Sequence, residues 1–303
     1  MLTFDYLFIL LAVVCYAAQF AFTKLFEGAA GQSGAVSLVM LAGSSVVGAL
    51  LFFFVGGISV RVSEISLLWA LVFAVVMIPY YMIGIKVLSL GSLAVYSMFM
   101  MLGGMLVPFF YGILFLKEAI SWGKVLGTVL IALFIVLQAT VQKESDGARQ
   151  SNKRLRWIFF ALCLLIFFIN GMTGVVAKAH SISEGAVDES SFTVLYCAMT
   201  AALSLVLLVP VLCRKEGRRE AKRAVSPRAL LWMALLGAAA YGGNFLQLLA
   251  ADAVPASVQF PLVSGGVIVL SALASALCFR EALSKKEWIS VAGAFLSTFL
   301  FAF

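Results

Sequence analysis

The chain has little charge for its length. Charged residues make up 12% of its 303 positions, hydrophobic residues make up 63%, and the mean hydropathy is +1.10. A soluble domain is nearer half apolar and a quarter charged. Because a single core in water could not bury this much apolar surface, the composition excludes an ordinary soluble domain. It predicts an all-α integral membrane protein.

The residues that build metal and redox sites are also scarce. His180 is the only histidine, and its place at the end of an apolar run predicts a surface position. The five cysteines form no CxxC pair and are expected to be free, small apolar residues. No Walker motif is present. We therefore expect no metal, no cofactor and no catalytic residues, and the leader MLTFD, without a basic segment, predicts no cleaved signal peptide.

Carboxylates are missing from the interiors of the apolar runs. The fourteen acidic residues lie in connectors or near the ends of runs, with Asp252 nearest to an interior. An antiporter that exchanges a cation for protons needs a carboxylate at membrane depth, because one group must hold either the proton or the cation. Exchange of organic cations at a glutamate is therefore disfavoured, whereas coupling through Asp252 or a lysine stays open.

The apolar runs themselves are about 20 residues long, which is the length that crosses about 30 Å of hydrocarbon. Backbone groups in lipid must bond within their own segment, so each run is predicted to be a helix. Ten such runs fall near residues 5–26, 35–57, 65–85, 92–115, 122–141, 156–177, 191–213, 228–250, 256–279 and 287–303.

The second half of the chain repeats the first. LGGMLVPFFYGILFLKEAIS (102–121) aligns with SGGVIVLSALASALCFREALS (264–284), with one extra residue in the second copy, so that Glu118 lies opposite Glu281. The starts of the halves align more weakly, and there Tyr16 lies opposite Asn170.

Each repeat holds five runs. Because five is odd, the second half must enter the membrane from the opposite face. The sequence therefore predicts ten transmembrane helices as two inverted five-helix repeats, residues 1–141 and 156–303, joined by a basic linker at 142–155.

The duplicated phrases LKEAIS and FREALS each join an apolar helix to a helix with Trp and Gly. This pattern resembles the EamA type of the drug/metabolite transporter superfamily, over nearly the whole chain. Both turns lack the glycine that family members often carry just before the basic–Glu pair. The resemblance implies a solute carrier with a central cavity, built chiefly from spans one, three, four, six, eight and nine, and leaves the substrate open.

Uncharged polar side chains within these spans are the candidates for solute contact. An amide facing lipid is costly without a partner. For any one residue the alternative is a contact between helices, worth about 0.6 kcal/mol. The predicted substrate-binding residues are Tyr16, Gln19, Tyr81, Tyr96, Asn170, Thr173, Tyr241, Asn244, Gln247, Gln259 and Ser264.

Prolines and paired glycines within the spans suggest bending. Proline removes a backbone hydrogen bond and permits a kink, and small residues allow close helix approach. Static packing is the alternative. The predicted gating residues are Pro79, Gly103, Gly104, Pro108, Pro261, Gly265 and Gly266.

The basic residues are unevenly distributed between the two predicted faces. The face that holds both termini has four of the 21, and the other face has 17. Because basic loops favour the cytoplasm, this bias places both termini outside, whereas the resemblance implies cytoplasmic termini. The net charge of +7 is therefore attributed to basic loops that orient the chain in the membrane, and not to nucleic-acid binding. The basic loop 214–228 is expected to orient the chain, with contact to anionic lipid headgroups as the alternative.

Together these observations favour a multi-pass secondary transporter in the plasma membrane. It would move a small polar or amphipathic metabolite, such as an amino acid or a related compound, by alternating access. The lipid bilayer and a small-molecule solute are the expected partners, and a homodimer stays open. A non-transporting accessory subunit and an intramembrane enzyme are the alternatives.

Overall fold

Helices account for all the regular structure in the described part of the chain. The computed structural model describes residues 2–117, 121–145, 153–251, 254 and 256–300. Within these ranges there are eleven helices and no strand, which confirms the predicted all-α class. The helices are α1 (Leu2–Ala30), α2 (Gly34–Val55), α3 (Glu64–Leu90), α4 (Leu93–Leu116), α5 (Trp122–Ser145), α6 (Lys153–Ser181), α7 (Glu189–Leu212), α8 (Lys215–Ala224), α9 (Pro227–Ala251), α10 (Ala256–Leu277) and α11 (Lys285–Phe299).

Seven of these helices are long and apolar enough to cross a membrane: α1, α2, α3, α4, α6, α7 and α9. The described parts of α5 and α10 include shorter apolar helices, Trp122–Phe134 and Leu262–Leu277. Large apolar side chains such as Leu114 (70% exposed) and Leu277 (74% exposed) lie on the outside. Such a surface suits lipid and not water, so the chain has the character of a multi-pass membrane protein.

Local sequence fixes several helix ends. Asp188 is the N-cap of α7, and its carboxylate accepts a hydrogen bond from the Ser191 N–H at 3.0 Å. That bond favours the ionised form and holds the pKa of Asp188 below its ordinary value. Ser284 and Glu287 form a capping box at the start of α11, where each side chain bonds the other's backbone N–H.

The chain forms two compact units, each of which draws on both halves of the sequence. The first unit comprises Met1–Ala17, Leu90–Gly171 and Gly243–Phe303, and the second comprises Ala18–Ser89 and Met172–Gly242. The second has a core of buried apolar residues from six helices, which includes Phe26, Met40, Leu41, Tyr81 and Met233. This division follows spatial proximity and differs from the division by sequence repeat.

Helices at equivalent positions of the two repeats pack against each other. In the first unit α4 packs on α10 and α5 on α11, and in the second unit α2 packs on α7. The first pair is antiparallel: Glu281, just past the end of α10, accepts a hydrogen bond from the N–H of Leu93, the first residue of α4, at 3.0 Å. The second pair is antiparallel too, since a Cβ at Gly56, after α2, would lie 3.5 Å from Ser190, at the start of α7.

The basic residues that open the two duplicated turns share a backbone conformation. Lys117 and Arg280 occupy matching positions and are both left-handed, with φ of 54° and 52°. This region is costly for residues other than glycine, by roughly 1–2 kcal/mol. Ser121 and Ser284 then cap the next helix, each accepting a backbone N–H three residues on. The carboxylate of Glu281 has a local function here, because it lies at the positive N-terminal end of α4.

Both long connectors contain helical residues. The basic loop 214–228 contains a helix, α8, because its small residues form a face that packs on the protein. Helices also extend into the predicted linker at 142–155, since α5 runs to Ser145 and α6 begins at Lys153. Residues 146–152, Glu118 and Asp252 lie outside the described residues.

Candidate functional site

A neutral hydrogen-bonded cluster lies in the first compact unit, where α1 meets α9. The Tyr16 hydroxyl is 2.9 Å from Asn244 Oδ1 and 3.1 Å from Gln247 Oε1. A hydroxyl carries one proton, so it can donate to only one of these oxygens at a time. The second amide must then offer its NH₂ to the tyrosine oxygen, or find another partner. The three groups can therefore exchange donor and acceptor roles.

The sequence of α9 explains why Tyr16 can lie there. Asn244 and Gln247 are three residues apart and so share a helix face. Gly243 precedes them, and a Cβ at this position would lie 3.1 Å from Cε1 of the Tyr16 ring. The missing side chain lets the ring lie close to the backbone of α9. Asn244 is exposed, which leaves one amide of the group accessible.

Helix α10 adds a fourth residue to this group. Gln259 is 3% exposed, and its Nε2 donates to the backbone carbonyl of Gln247. We call Tyr16, Asn244, Gln247 and Gln259 the Tyr16 cluster. Its members carry donors and acceptors but no formal charge. Such a set can bind hydroxyl, amide, amino or carboxyl groups of a small solute without a charged counterpart.

The other candidates in the first unit are Asn170, which is half-buried, and Tyr96 and Ser264, which are buried. Asn170 Nδ2 donates to the Met100 carbonyl at 2.6 Å, which joins α6 to α4. Tyr96 is 4% exposed and Ser264 is 9% exposed. The Asn170 bond fits the alternative interpretation of these residues as contacts between helices.

Two predicted tyrosines in the second unit also join helices. The Ser44 hydroxyl of α2 lies 3.3 Å from the Tyr81 oxygen, within hydrogen-bonding distance. Tyr241 covers Gly48 of α2, where a Cβ would lie 2.4 Å from its ring. Both tyrosines are buried, at 7% and 6% exposed. Their contacts are those of a packed core.

Gln19 and Thr173 also belong to the second unit, and both side chains are half-buried. The backbone carbonyl of Gln19 accepts the Thr23 hydroxyl at 2.8 Å. The structure thus brings together four of the eleven predicted binding residues, those of the Tyr16 cluster.

The predicted gating glycines lie at close helix contacts. A Cβ at Gly103 would lie 2.1 Å from the Phe167 carbonyl oxygen of α6, and one at Gly266 would lie 2.8 Å from Val13 of α1. A Cβ at Gly104 would lie 2.8 Å from Asn170 Nδ2, and one at Gly265 would lie 2.5 Å from Thr298 Oγ1. Close approach is therefore confirmed, whereas bending stays a prediction.

The predicted gating prolines lie inside continuous helices. Pro79 is in α3 and Pro108 is in α4, and each helix continues on both sides of its proline. Pro261 falls within the bounds of α10, and its side chain lies outside the described residues.

His180 is buried, and the expectation of a surface position is wrong. Its ring is 3% exposed and stacks on Phe192 with centroids 3.7 Å apart. Its Nε2 lies 2.9 Å from Ser66 Oγ, which also accepts the Val187 N–H at 3.1 Å and the Ser63 hydroxyl at 2.9 Å. Because a hydroxyl oxygen has two acceptor sites and one proton, Ser66 must donate to Nε2. His180 is therefore a neutral acceptor that joins α6 to the start of α3 and to the segment before α7.

This network predicts a large effect of Ser66→Ala on stability. The substitution removes the acceptor of the Val187 N–H and of the Ser63 hydroxyl, and the donor to His180. Buried polar groups without a partner cost about 1–3 kcal/mol, and we expect the free energy of unfolding to fall by that amount. Denaturant unfolding in detergent measures it. Ser59→Ala, which removes an exposed hydroxyl bonded to the Gly56 carbonyl, is the control. Equal stabilities of the two variants would contradict the network.

Glu27 is a buried acidic residue that was not among the predicted functional residues. The first apolar run is predicted at residues 5–26, but α1 continues to Ala30 and includes Glu27 in a candidate span. The side chain is 6% exposed, and its Oε1 accepts a hydrogen bond from Gln32 Nε2. A carboxylate does therefore lie within a span, near its end. This position agrees with the expectation that the acidic residues lie in connectors or near the ends of the apolar runs.

Comparison with known proteins finds a shared fold without a shared sequence. No family model and no curated protein matches the chain. A crystal structure, described by no more than that it is of a protein, matches over 99% of this chain and 97% of that one. The TM-score is 0.54 and the identity is 14%. At this identity the likeness shows the fold alone, and it extends over the whole length.

Proposed function

We propose that the protein is a secondary transporter of the drug/metabolite transporter superfamily, EamA type, with ten spans in two inverted repeats. The antiparallel packing of α4 on α10 and of α2 on α7 supports the inversion, because equivalent helices of inverted repeats run in opposite directions. The matching left-handed residues Lys117 and Arg280 support the repeat. The chain would lie in the plasma membrane with its basic connectors in the cytoplasm.

The observation that carries this proposal is the Tyr16 cluster. Hydrogen-bonding groups within membrane helices are expensive and are kept where they serve binding or packing. Here two side chains on α9 bond one tyrosine, Gln259 of α10 bonds the backbone carbonyl of Gln247, and Asn244 remains exposed. A site of neutral donors and acceptors beside aromatic carbon suits a neutral or zwitterionic solute with an apolar part. An amino acid or a related metabolite fits that description.

Transport would proceed by alternating access, with the repeats rocking about a midplane site. The ability of Tyr16 to exchange hydrogen-bond partners provides a low-cost way to release one amide to the solute. Glu27 places a carboxylate within α1, so coupling to protons is compatible with this scheme.

A thermal-shift screen of the purified protein against small metabolites tests the proposal. A ligand that binds only the folded state at about 100 times its dissociation constant stabilises it by about 2.7 kcal/mol. We expect at least one neutral or zwitterionic compound to raise the melting temperature of the wild type and not that of Asn244→Ala. Ser59→Ala removes an exposed hydroxyl that takes no part in the Tyr16 cluster, so this variant should respond like the wild type. A compound that stabilises Asn244→Ala and the wild type equally would argue against binding at this cluster.

A further inference from the structure

Helix α8 presents a concentrated positive surface that transport does not explain. Between Arg214 and Arg228 the chain carries seven basic and two acidic residues. The helix lies between α7 and α9, both of which are candidate spans, and so it lies where the chain leaves and re-enters the apolar region.

One side of α8 is fixed tightly to the protein. Gly217, Ala221 and Ala224 are buried, and α8 packs on α2 and α7. A Cβ at Gly217 would lie 2.1 Å from the Val211 carbonyl oxygen, so the helix backbone lies directly against the last turn of α7. Arg218 Nε donates to the Leu212 carbonyl at 2.8 Å, which satisfies a carbonyl at the end of α7. The helix is therefore held against the end of a span.

The opposite side of α8 carries four cations. At about 100° per residue, Lys215, Arg219, Lys222 and Arg223 fall within an arc of roughly 100°, centred opposite the buried small residues. All four are exposed. Within the described part of the chain none of them forms an ion pair, and the acidic residues Glu216 and Glu220 lie to one side of the arc.

We propose that this face of α8 binds the headgroups of anionic phospholipids. Its position at the end of α7 brings the cations to the depth of the phosphates, and its charge is complementary to them. The small residues on the buried side and the Arg218 bond hold the helix so that the cationic side faces outward. Basic residues near an anionic membrane surface each add favourable binding energy, so four together give a clear preference.

The test measures lipid preference and not flux. Protein reconstituted in phosphatidylcholine is titrated with spin-labelled phosphatidylglycerol or spin-labelled phosphatidylcholine, and the motionally restricted fraction gives the relative association constant. We expect the wild type to prefer phosphatidylglycerol. The preference of the variant Lys215→Gln/Arg219→Gln/Lys222→Gln/Arg223→Gln should be lower by at least tenfold. Because both leaflets have one composition, the orientation of the inserted protein does not affect the result.

A variant of α8 with the opposite change in charge serves as the control. Glu216→Gln/Glu220→Gln removes two negative charges from the same helix and should raise the preference above that of the wild type. At high sodium chloride concentration all three proteins should show the same lipid preference, because salt screens the attraction between the cations and the anionic headgroups. An unchanged preference in the quadruple variant, with helix content retained by circular dichroism, would overturn the proposal. So would competition by millimolar inorganic phosphate, which would identify a site for a soluble anion. Either failure leaves the transport proposal untouched.

Discussion

Gly103→Ala is expected to prevent normal packing of α4 on α6. The new Cβ would lie 2.1 Å from the carbonyl oxygen of Phe167 and 2.7 Å from its carbonyl carbon. Both atoms belong to the backbone of a helix, so no side-chain rotation relieves the clash. Overpacking costs about 1–3 kcal/mol where side chains can adjust, and a backbone obstacle lies at or above the top of that range. We expect a loss of about 3 kcal/mol in the free energy of unfolding, or failure to accumulate as folded protein.

Gly43→Ala provides a matched control in the second compact unit. A Cβ there would also clash, at 2.3 Å from Met233 Sδ, but the obstacle is the end of a flexible side chain. Methionine adjusts readily, so the loss should stay below about 1 kcal/mol. Gly242→Ala meets no heavy atom within 4 Å and should be close to neutral. Thermal unfolding in detergent ranks the three. A Gly103→Ala variant as stable as Gly242→Ala would show that α4 and α6 are not so close.

Asn244→Ala and Tyr16→Phe are expected to reduce solute flux in proteoliposomes about tenfold each. Asn244→Ala removes the exposed amide of the Tyr16 cluster, and Tyr16→Phe removes the hydroxyl that bonds Asn244 and Gln247. Such a loss is worth about 1–3 kcal/mol, and 1.4 kcal/mol is a factor of ten. The compound that raises the melting temperature serves as the labelled solute. Gln19→Ala tests the one predicted amide of α1 outside the cluster, and we expect a smaller reduction.

Tyr111→Phe is the control for that experiment. It removes the same hydroxyl from a half-buried tyrosine of α4 that stacks on Phe115 and takes no part in the cluster. Its flux should equal that of the wild type. If Asn244→Ala, Tyr16→Phe and Tyr111→Phe all transport normally at equal expression, the cluster serves packing and not the solute.

The helices could be predicted because lipid leaves the backbone few alternatives. A run of about 20 apolar residues must form a helix there, and the described helices follow the predicted runs closely. The α8 helix was missed because its sequence is highly charged, and charge predicts a solvated loop. Its helical signal lay in the spacing of Gly217, Ala221 and Ala224, which places three small residues on one side.

The candidate site was only partly predictable, for a physical reason. Sequence shows which polar side chains lie within spans but not which neighbours they meet. Tyr16 and Tyr241 looked alike in sequence, yet one meets two amides and the other covers a glycine. His180 looked exposed because it follows an apolar run. Its burial depends on Ser66 and Phe192, which are far from it in the chain or on another helix.

Accessibility of the two duplicated turns tests the inverted repeat most directly. Single cysteines replace Trp122 and Lys285, both exposed and each near the start of the last helix of its repeat, in a chain whose native cysteines are replaced. A membrane-impermeant maleimide is applied to intact cells. We predict that Trp122→Cys is labelled and that Lys285→Cys is labelled only after permeabilisation. The reverse pattern would correct the orientation and keep the inversion. Labelling of both cysteines, or of neither until permeabilisation, would contradict two repeats that enter the membrane from opposite faces.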